Sequence, residues 1–161
     1  MIASFQIRRA GEADASGILG CLADAFAAYR ECYSEQGFMD TVLTPETLKH
    51  RMKHMAIFVA VRERDGEIIG TVACGLASPD EGHLRGMAVL PHCQGAGVAR
   101  QLLDRAETEL RTTKCLRVSL DTTEPLERAI RFYERHGYRP SGKVGDFFGM
   151  PLYEYVKDLC V

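Results

Sequence analysis

The stretch Val89-Leu90-Pro91-His92-Cys93-Gln94-Gly95-Ala96-Gly97-Val98-Ala99-Arg100 decides the fold. An apolar lead-in stops at a proline, two glycines follow one residue apart, and Val98, Leu102, Leu103, Ala106 and Leu110 then recur at helical spacing. Glycine at 95 and 97 lets the backbone turn sharply and approach a ligand closely. The helix start leaves the N–H groups of Gly95, Gly97, Val98 and Ala99 unpaired at the positive end of the helix dipole. Such a cradle holds phosphate without a lysine. On this fragment alone, a plain strand-to-helix turn stays an open alternative. A dinucleotide fingerprint fits poorly because its third glycine is replaced by Arg100, and no Gly-Lys-Ser/Thr triplet occurs in the chain.

Outward from that stretch, the spacing predicts a strand over 5–9 and a helix capped by Asp14 with Ala15, Ile18, Leu19, Leu22 and Phe26 inward. A mixed connector is expected over 31–44, and Thr44-Pro45-Glu46 opens a short helix. Strands over 57–61 and 68–76 flank an Asp65-Gly66 turn, and a third runs from His83 to Leu90. After the glycine stretch come a strand at 116–120, a helix at 126–136 closed by Gly137, and a final strand at 147–156, with room for a short strand near Tyr138. The order β-α-α-β-β-β-α-β-α-β predicts a mixed α/β sheet, mostly antiparallel, with one β-α-β unit and helices on both faces.

Bulk composition narrows the function classes. The chain has 161 residues, 46% hydrophobic and 26% charged, with a net charge of −2, which predicts a single globular domain over 1–161. Near-neutral charge argues against nucleic acid as a partner. Arg128, Arg131, Arg135 and Arg139, interleaved with Glu127 and Glu134, read as a solvated helix face, or more remotely as a partner-binding surface. No apolar run approaches the ~18 residues of a membrane span, and the N-terminus lacks a basic-then-apolar leader. Six scattered cysteines without a C-x-x-C pair suit a reduced compartment, so a cytoplasmic protein is expected. Glu46, His50 and His54 share a helical face but lack further ligands, so no metal is expected. A Cys93–His92 nucleophile is discounted because adjacent side chains point apart.

Two blocks together resemble the GCN5-related N-acetyltransferase family. Gln94-Gly95-Ala96-Gly97-Val98-Ala99 matches the family's [RQ]-x-x-G-x-[GA] pyrophosphate loop, and Met87-Ala88-Val89-Leu90-Pro91 matches the strand that leads into it. Ala129-Ile130-Arg131-Phe132-Tyr133-Glu134-Arg135-His136-Gly137-Tyr138 is similar to the family's A-x-x-F-Y-E-x-x-G-[FY] signature. The blocks stand in the family's order, and the element order matches over nearly the whole chain.

The resemblance implies acetyl-CoA as co-substrate and direct transfer of its acetyl group to an amine. Met87, Ala88 and Val89 would then pair with the pantetheine arm, and residues 94 to 99 would hold the diphosphate, with Arg100 adding a phosphate contact. Tyr133 would be the general acid for the departing thiolate, a phenol with pKa about 10 being protonated at neutral pH. Read from spacing alone, Tyr133 is a helix tyrosine whose ring packs in the core.

For the base, period-two alternation puts His83, Arg85, Met87 and Val89 on one face, and His83 stands where many relatives carry glutamate. A structural histidine, Glu81, Glu35 or a water chain are the alternatives. Tyr29, Tyr33 and Phe38, with Arg30 and Phe148, fall in segments that wall the acceptor pocket in the family, or are packing residues. One departure from the pattern is Leu126, where relatives often have a cofactor-contacting asparagine.

The expected function is acetyl transfer to a primary amine of a small molecule or amino-acid-like compound. The alternatives are a protein N-terminus or lysine as acceptor, and an acyl-CoA-binding sensor domain without turnover. Homodimers are common among relatives, and the final strand could support one.

Overall fold

In the computed structural model, which describes residues 4–159, seven strands form one sheet. They are β1 (Phe5–Arg9), β2 (Ala56–Arg62), β3 (Ile68–Ser78), β4 (Glu81–Val89), β5 (Arg117–Thr123), β6 (Arg139–Phe147) and β7 (Met150–Asp158). The spatial order is β1-β2-β3-β4-β5-β7-β6. Only β4 and β5 run parallel, because the helix α4 (Val98–Thr112) carries the chain back across the sheet between them. Val59, Ala60, Ile69 and Val72 in the central strands are fully buried, as expected of strands covered on both faces.

Glycines in the sheet record which helix lies on which face. A Cβ at Gly70 would stand 2.9 Å from Leu102 and Val98, and one at Gly82 would stand 2.8 Å from Leu110. The missing side chains thus let α4 lie directly on the sheet, and Leu102, Leu103, Ala106 and Leu110 are buried there. A Cβ at Gly75 would instead meet Met55, at the end of α3 (Pro45–His54), 3.3 Å away. The helix α1 (Ala15–Phe26) touches both α2 (Glu35–Val42) and α3, and together they make the second layer. The helix α5 (Glu127–Arg135) lies on the α4 side, where Tyr138 just beyond it donates to Glu107 of α4 at 2.7 Å.

Several expectations change. The 31–44 connector contains α2, started by Ser34, whose hydroxyl accepts from Gly37 N–H at 3.1 Å. Short apolar spacing there hid a two-turn helix. Asp14 does not cap α1: its carboxylate accepts from Gly11 N–H at 2.8 Å and pairs with Arg8, closing the 3-10 turn that precedes the helix. The Thr44 cap is present, its hydroxyl accepting from Thr47 N–H at 3.2 Å.

The closing strand is a hairpin, since β6 occupies 139–147 and turns through Phe148 and Gly149, both at positive φ. The final strand β7 therefore lies inside the sheet between β5 and β6, and the edge strands open to pairing between copies are β1 and β6. Among the described residues Cys21, Cys32, Cys74, Cys93 and Cys115 are free thiols, and Cys160 lies outside them. Within the same residues no helix is long and apolar enough to cross a membrane.

Candidate active site

β4 and β5 are hydrogen-bonded only from Glu81↔Arg117 to Leu84↔Leu120. Past that point they separate. The cause lies in β4, where Ala73 pairs with Arg85 but Thr71 pairs with Ala88, so one extra residue bulges at Gly86–Met87. Gly86 sits at φ 61, and a Cβ there would lie 2.8 Å from Arg51 Nη1. Only glycine meets both conditions without strain. Gly86→Ala is accordingly expected to lower unfolding stability by about 1–2 kcal/mol, read by urea denaturation.

The bulge also corrects the face assignment. His83 pairs with Gly75 and faces the α1–α3 layer, whereas Val89 pairs with Gly70 and faces α4. The two residues do not share a face, because an extra residue breaks the period of two.

A cleft of about 530 Å³ occupies the gap between the strands and reaches both faces of the sheet. At its α4 end is the glycine turn. Gly95 and Gly97 have φ 83 and 86, and nothing lies within 4 Å of either missing Cβ, so the turn is open above its backbone. The first hydrogen bond of α4 is Gln101 N–H to Gly97 O at 3.1 Å. Among the described residues the N–H groups of Gly95, Ala96, Gly97, Val98, Ala99 and Arg100 have no acceptor. Gln94 turns its side chain away from this row, its amide donating to Val89 O at 3.3 Å and tying the turn to the end of β4. Met87, Ala88 and Val89 line the cleft between turn and bulge. An open amide row on a helix N-terminus fits a diphosphate, and no acidic side chain stands in the first turn of α4 to oppose one.

Tyr133 of α5 lines the cleft from the α4 side, 7% exposed, with its ring held edge-on by Phe132 and Tyr138 at centroid distances of 5.5 and 5.8 Å. Burial pushes its phenol pKa well above the ordinary value, so the hydroxyl keeps its proton at neutral pH. Leu126, where the family pattern has asparagine, lines the same end of the cleft.

On the opposite face, His83 belongs to a hydrogen-bonded chain. Arg117 Nε donates to Glu81 Oε1 at 2.7 Å, Ser119 Oγ donates to Glu81 Oε2 at 3.2 Å, and Ser119 Oγ lies 2.9 Å from His83 Nδ1. Burial works to raise the Glu81 pKa, but the Arg117 bond and charge and the Ser119 bond outweigh it, leaving a carboxylate that only accepts. When Ser119 gives its one proton to Glu81, His83 Nδ1–H is the donor to Ser119. In that tautomer His83 Nε2, 3.6 Å from Asp121 Oδ2, carries the lone pair. Burial lowers the His83 pKa below the ordinary 6.5, against the opposing pull of Asp121, so the ring is neutral at pH 7. Glu81 is thus held by its partners, and Glu35 is not among the residues lining the cleft.

The expected aromatic wall divides. Tyr29 and Tyr33 line the cleft, and Tyr33 Oη is 2.8 Å from Thr123 Oγ1, which fixes it against β5. Phe38 does not line it: its ring is 6% exposed in the core, with the Arg30 guanidinium 4.7 Å from its centroid. Phe147, beside Tyr33 at 6.2 Å, takes the place expected of Phe148, which is 46% exposed outside. Arg51 and Arg85 also line this end, and sequence reasoning missed Arg51 altogether. Nothing in the short α3 pattern marks one arginine among several cations. Only the bulge brings it to the gap.

The acetyltransferase (GNAT) family model matches residues 22–138. Among solved structures, the PaiA N-acetyltransferase of Thermoplasma acidophilum in complex with coenzyme A superposes with TM-score 0.79 at 18% identity, over 97% of this chain and 99% of that one. A GNAT-family acetyltransferase of Staphylococcus aureus Mu50 gives 0.80 at 15% identity, over 98% and 100%. The ribosomal-protein-S18-alanine N-acetyltransferase of Escherichia coli gives 0.76 at 16% identity, over 98% and 96%. The split sheet, the open glycine turn and these matches agree: the chain belongs to the acetyltransferase (GNAT) family.

Proposed function

We propose that this protein transfers the acetyl group of acetyl-CoA directly to a primary amine of a small, amino-acid-like acceptor. The observation that carries the reading is the gap between β4 and β5, which joins the glycine turn and Tyr133 on one face to His83 on the other. Two reactants entering from opposite faces meet in line, which replaces a chance encounter by a positioned one.

In this reading the amides of residues 95 to 100 hold the diphosphate, and backbone groups of Met87, Ala88 and Val89 hold the pantetheine arm. A backbone N–H at the bulge, aimed at the thioester oxygen, is worth about 3–4 kcal/mol to the transition state. His83 Nε2 takes a proton from the attacking amine as nitrogen bonds to the acyl carbon, and Asp121 stabilises the imidazolium. As the carbon–sulfur bond breaks, Tyr133 gives its hydroxyl proton to the departing thiolate.

The test is thiol release from acetyl-CoA across a panel of amines, amino acids and peptides. Turnover confined to small acceptors supports the reading. Turnover of peptide N-termini or lysines would move the acceptor to protein, and coenzyme A binding without turnover would leave an acyl-CoA sensor, the reading that Leu126 at the asparagine position favours.

His83 carries a pH signature. An alkyl amine with a pKa near 10 must lose its proton, and His83 must be neutral. Log kcat/KM should therefore rise with a slope of about two below the His83 pKa and about one above it. In His83→Gln the steeper acid limb should vanish, and kcat/KM at neutral pH should fall about a hundredfold. An unchanged profile would remove His83 as base.

A further inference from the structure

We propose that Arg51 and Arg85 form an anion subsite at the acceptor end of the cleft, so that the acceptor is a zwitterion. It would be an amino acid or short aminocarboxylate with its carboxylate on the two guanidiniums and its amine toward His83 and Asp121. This rests on the acetyl-transfer reading above and adds the charge of the acceptor to it.

The placement of Arg51 is the first ground. Its Nη1 lies where a Cβ at Gly86 would come within 2.8 Å, so the guanidinium is held against the bulge at which β4 leaves β5. It faces the cleft, and among the described residues it forms no ion pair and no hydrogen bond. Burial, together with the like charge of Arg85, lowers its pKa to about 10, with Asp40 pulling the other way. A mostly buried guanidinium without a partner costs free energy, and a bound anion removes that cost.

Arg85 is the second ground. It lies on the same face of the sheet as His83, and its one acidic neighbour, Asp40, is 3.9 Å away with both side chains more than 40% exposed. One carboxylate thus stands against two guanidiniums. The planar fork of arginine matches a carboxylate in two parallel hydrogen bonds, which a point charge would not specify.

The third ground is the opposite sign at the other end. His83 Nε2 and Asp121 Oδ2, 3.6 Å apart, offer a lone pair and a negative charge to an incoming ammonium. His83 and Arg85 are two residues apart along β4, a span of about 7 Å. An aminocarboxylate fills that span with a hydrogen bond at each end. A diamine would instead press its second ammonium against Arg51 and Arg85.

The experiment compares matched acceptors with acetyl-CoA: an amino acid, its carboxamide and a diamine of similar length. The acid should exceed the amide in kcat/KM by at least about tenfold, mostly through KM, as a lost charged hydrogen bond requires. In Arg51→Gln and in Arg85→Gln that ratio should fall toward one, and Arg51→Lys should give an intermediate ratio. Equal use of acid and amide by the parent protein, or a ratio unmoved in both Gln variants, would overturn the subsite. Absence of thiol release with every acceptor would instead remove the acetyl-transfer reading. Thermal shifts of the coenzyme A-bound protein with the same three compounds then score the subsite alone: a larger shift with the acid supports it, and equal shifts overturn it.

Discussion

Tyr133→Phe is expected to lower kcat by about 10²–10³ while coenzyme A affinity stays within about twofold. The change removes one oxygen and nothing else. The phenyl ring keeps its edge-on contacts with Phe132 and Tyr138, and the helix keeps its buried anchor. No hydrogen bond of the Tyr133 hydroxyl to another described side chain is lost, so folding should be almost undisturbed. Single-turnover and steady-state kinetics on the purified variant, with calorimetry for coenzyme A, separate chemistry from binding. A variant that turns over like the parent would show that Tyr133 is a core residue and that the thiolate takes its proton elsewhere.

Gly97→Asp should raise the coenzyme A dissociation constant at least about a hundredfold, the equivalent of roughly 3 kcal/mol. Two effects add. A residue with a Cβ at φ 86 is strained by about 1–2 kcal/mol, and a carboxylate in the open space above the turn repels a diphosphate at close range. Gly97→Ala keeps the strain without the charge and should lose only about tenfold. Titration calorimetry of both variants reads the difference. If the two bind equally well, charge at the turn is irrelevant and the diphosphate is not held there.

Legibility in the sequence tracked how local the cause was. The α4 stripe, the Thr44 cap and the Gly137 stop are set by neighbours within one or two turns, and the structure has all three. The glycine turn was readable for the same reason, since two positive-φ positions before a helix need no partner to be recognised. Asp14 departs from the capping pattern because its carboxylate is claimed by Arg8 from the preceding strand, a competition no capping pattern encodes.

The bulge at Gly86 has no local signature in the sequence. A one-residue slip shows only when β4 is laid against β3, and it undoes every period-two inference beyond it, including the pairing of His83 with Val89 on one face. Arg51 was invisible as a consequence, since it matters only through the space that the bulge opens. The segment of Phe38 does not fix its direction, and its ring points into the core beneath Arg30.

A crystal structure with coenzyme A bound is the most direct measurement. Diphosphate oxygens should accept hydrogen bonds from main-chain N–H groups among residues 95 to 100, with the sulfur beside Met87 and within reach of the Tyr133 hydroxyl. A ligand bound elsewhere, with that row of amides turned to solvent, would contradict the account.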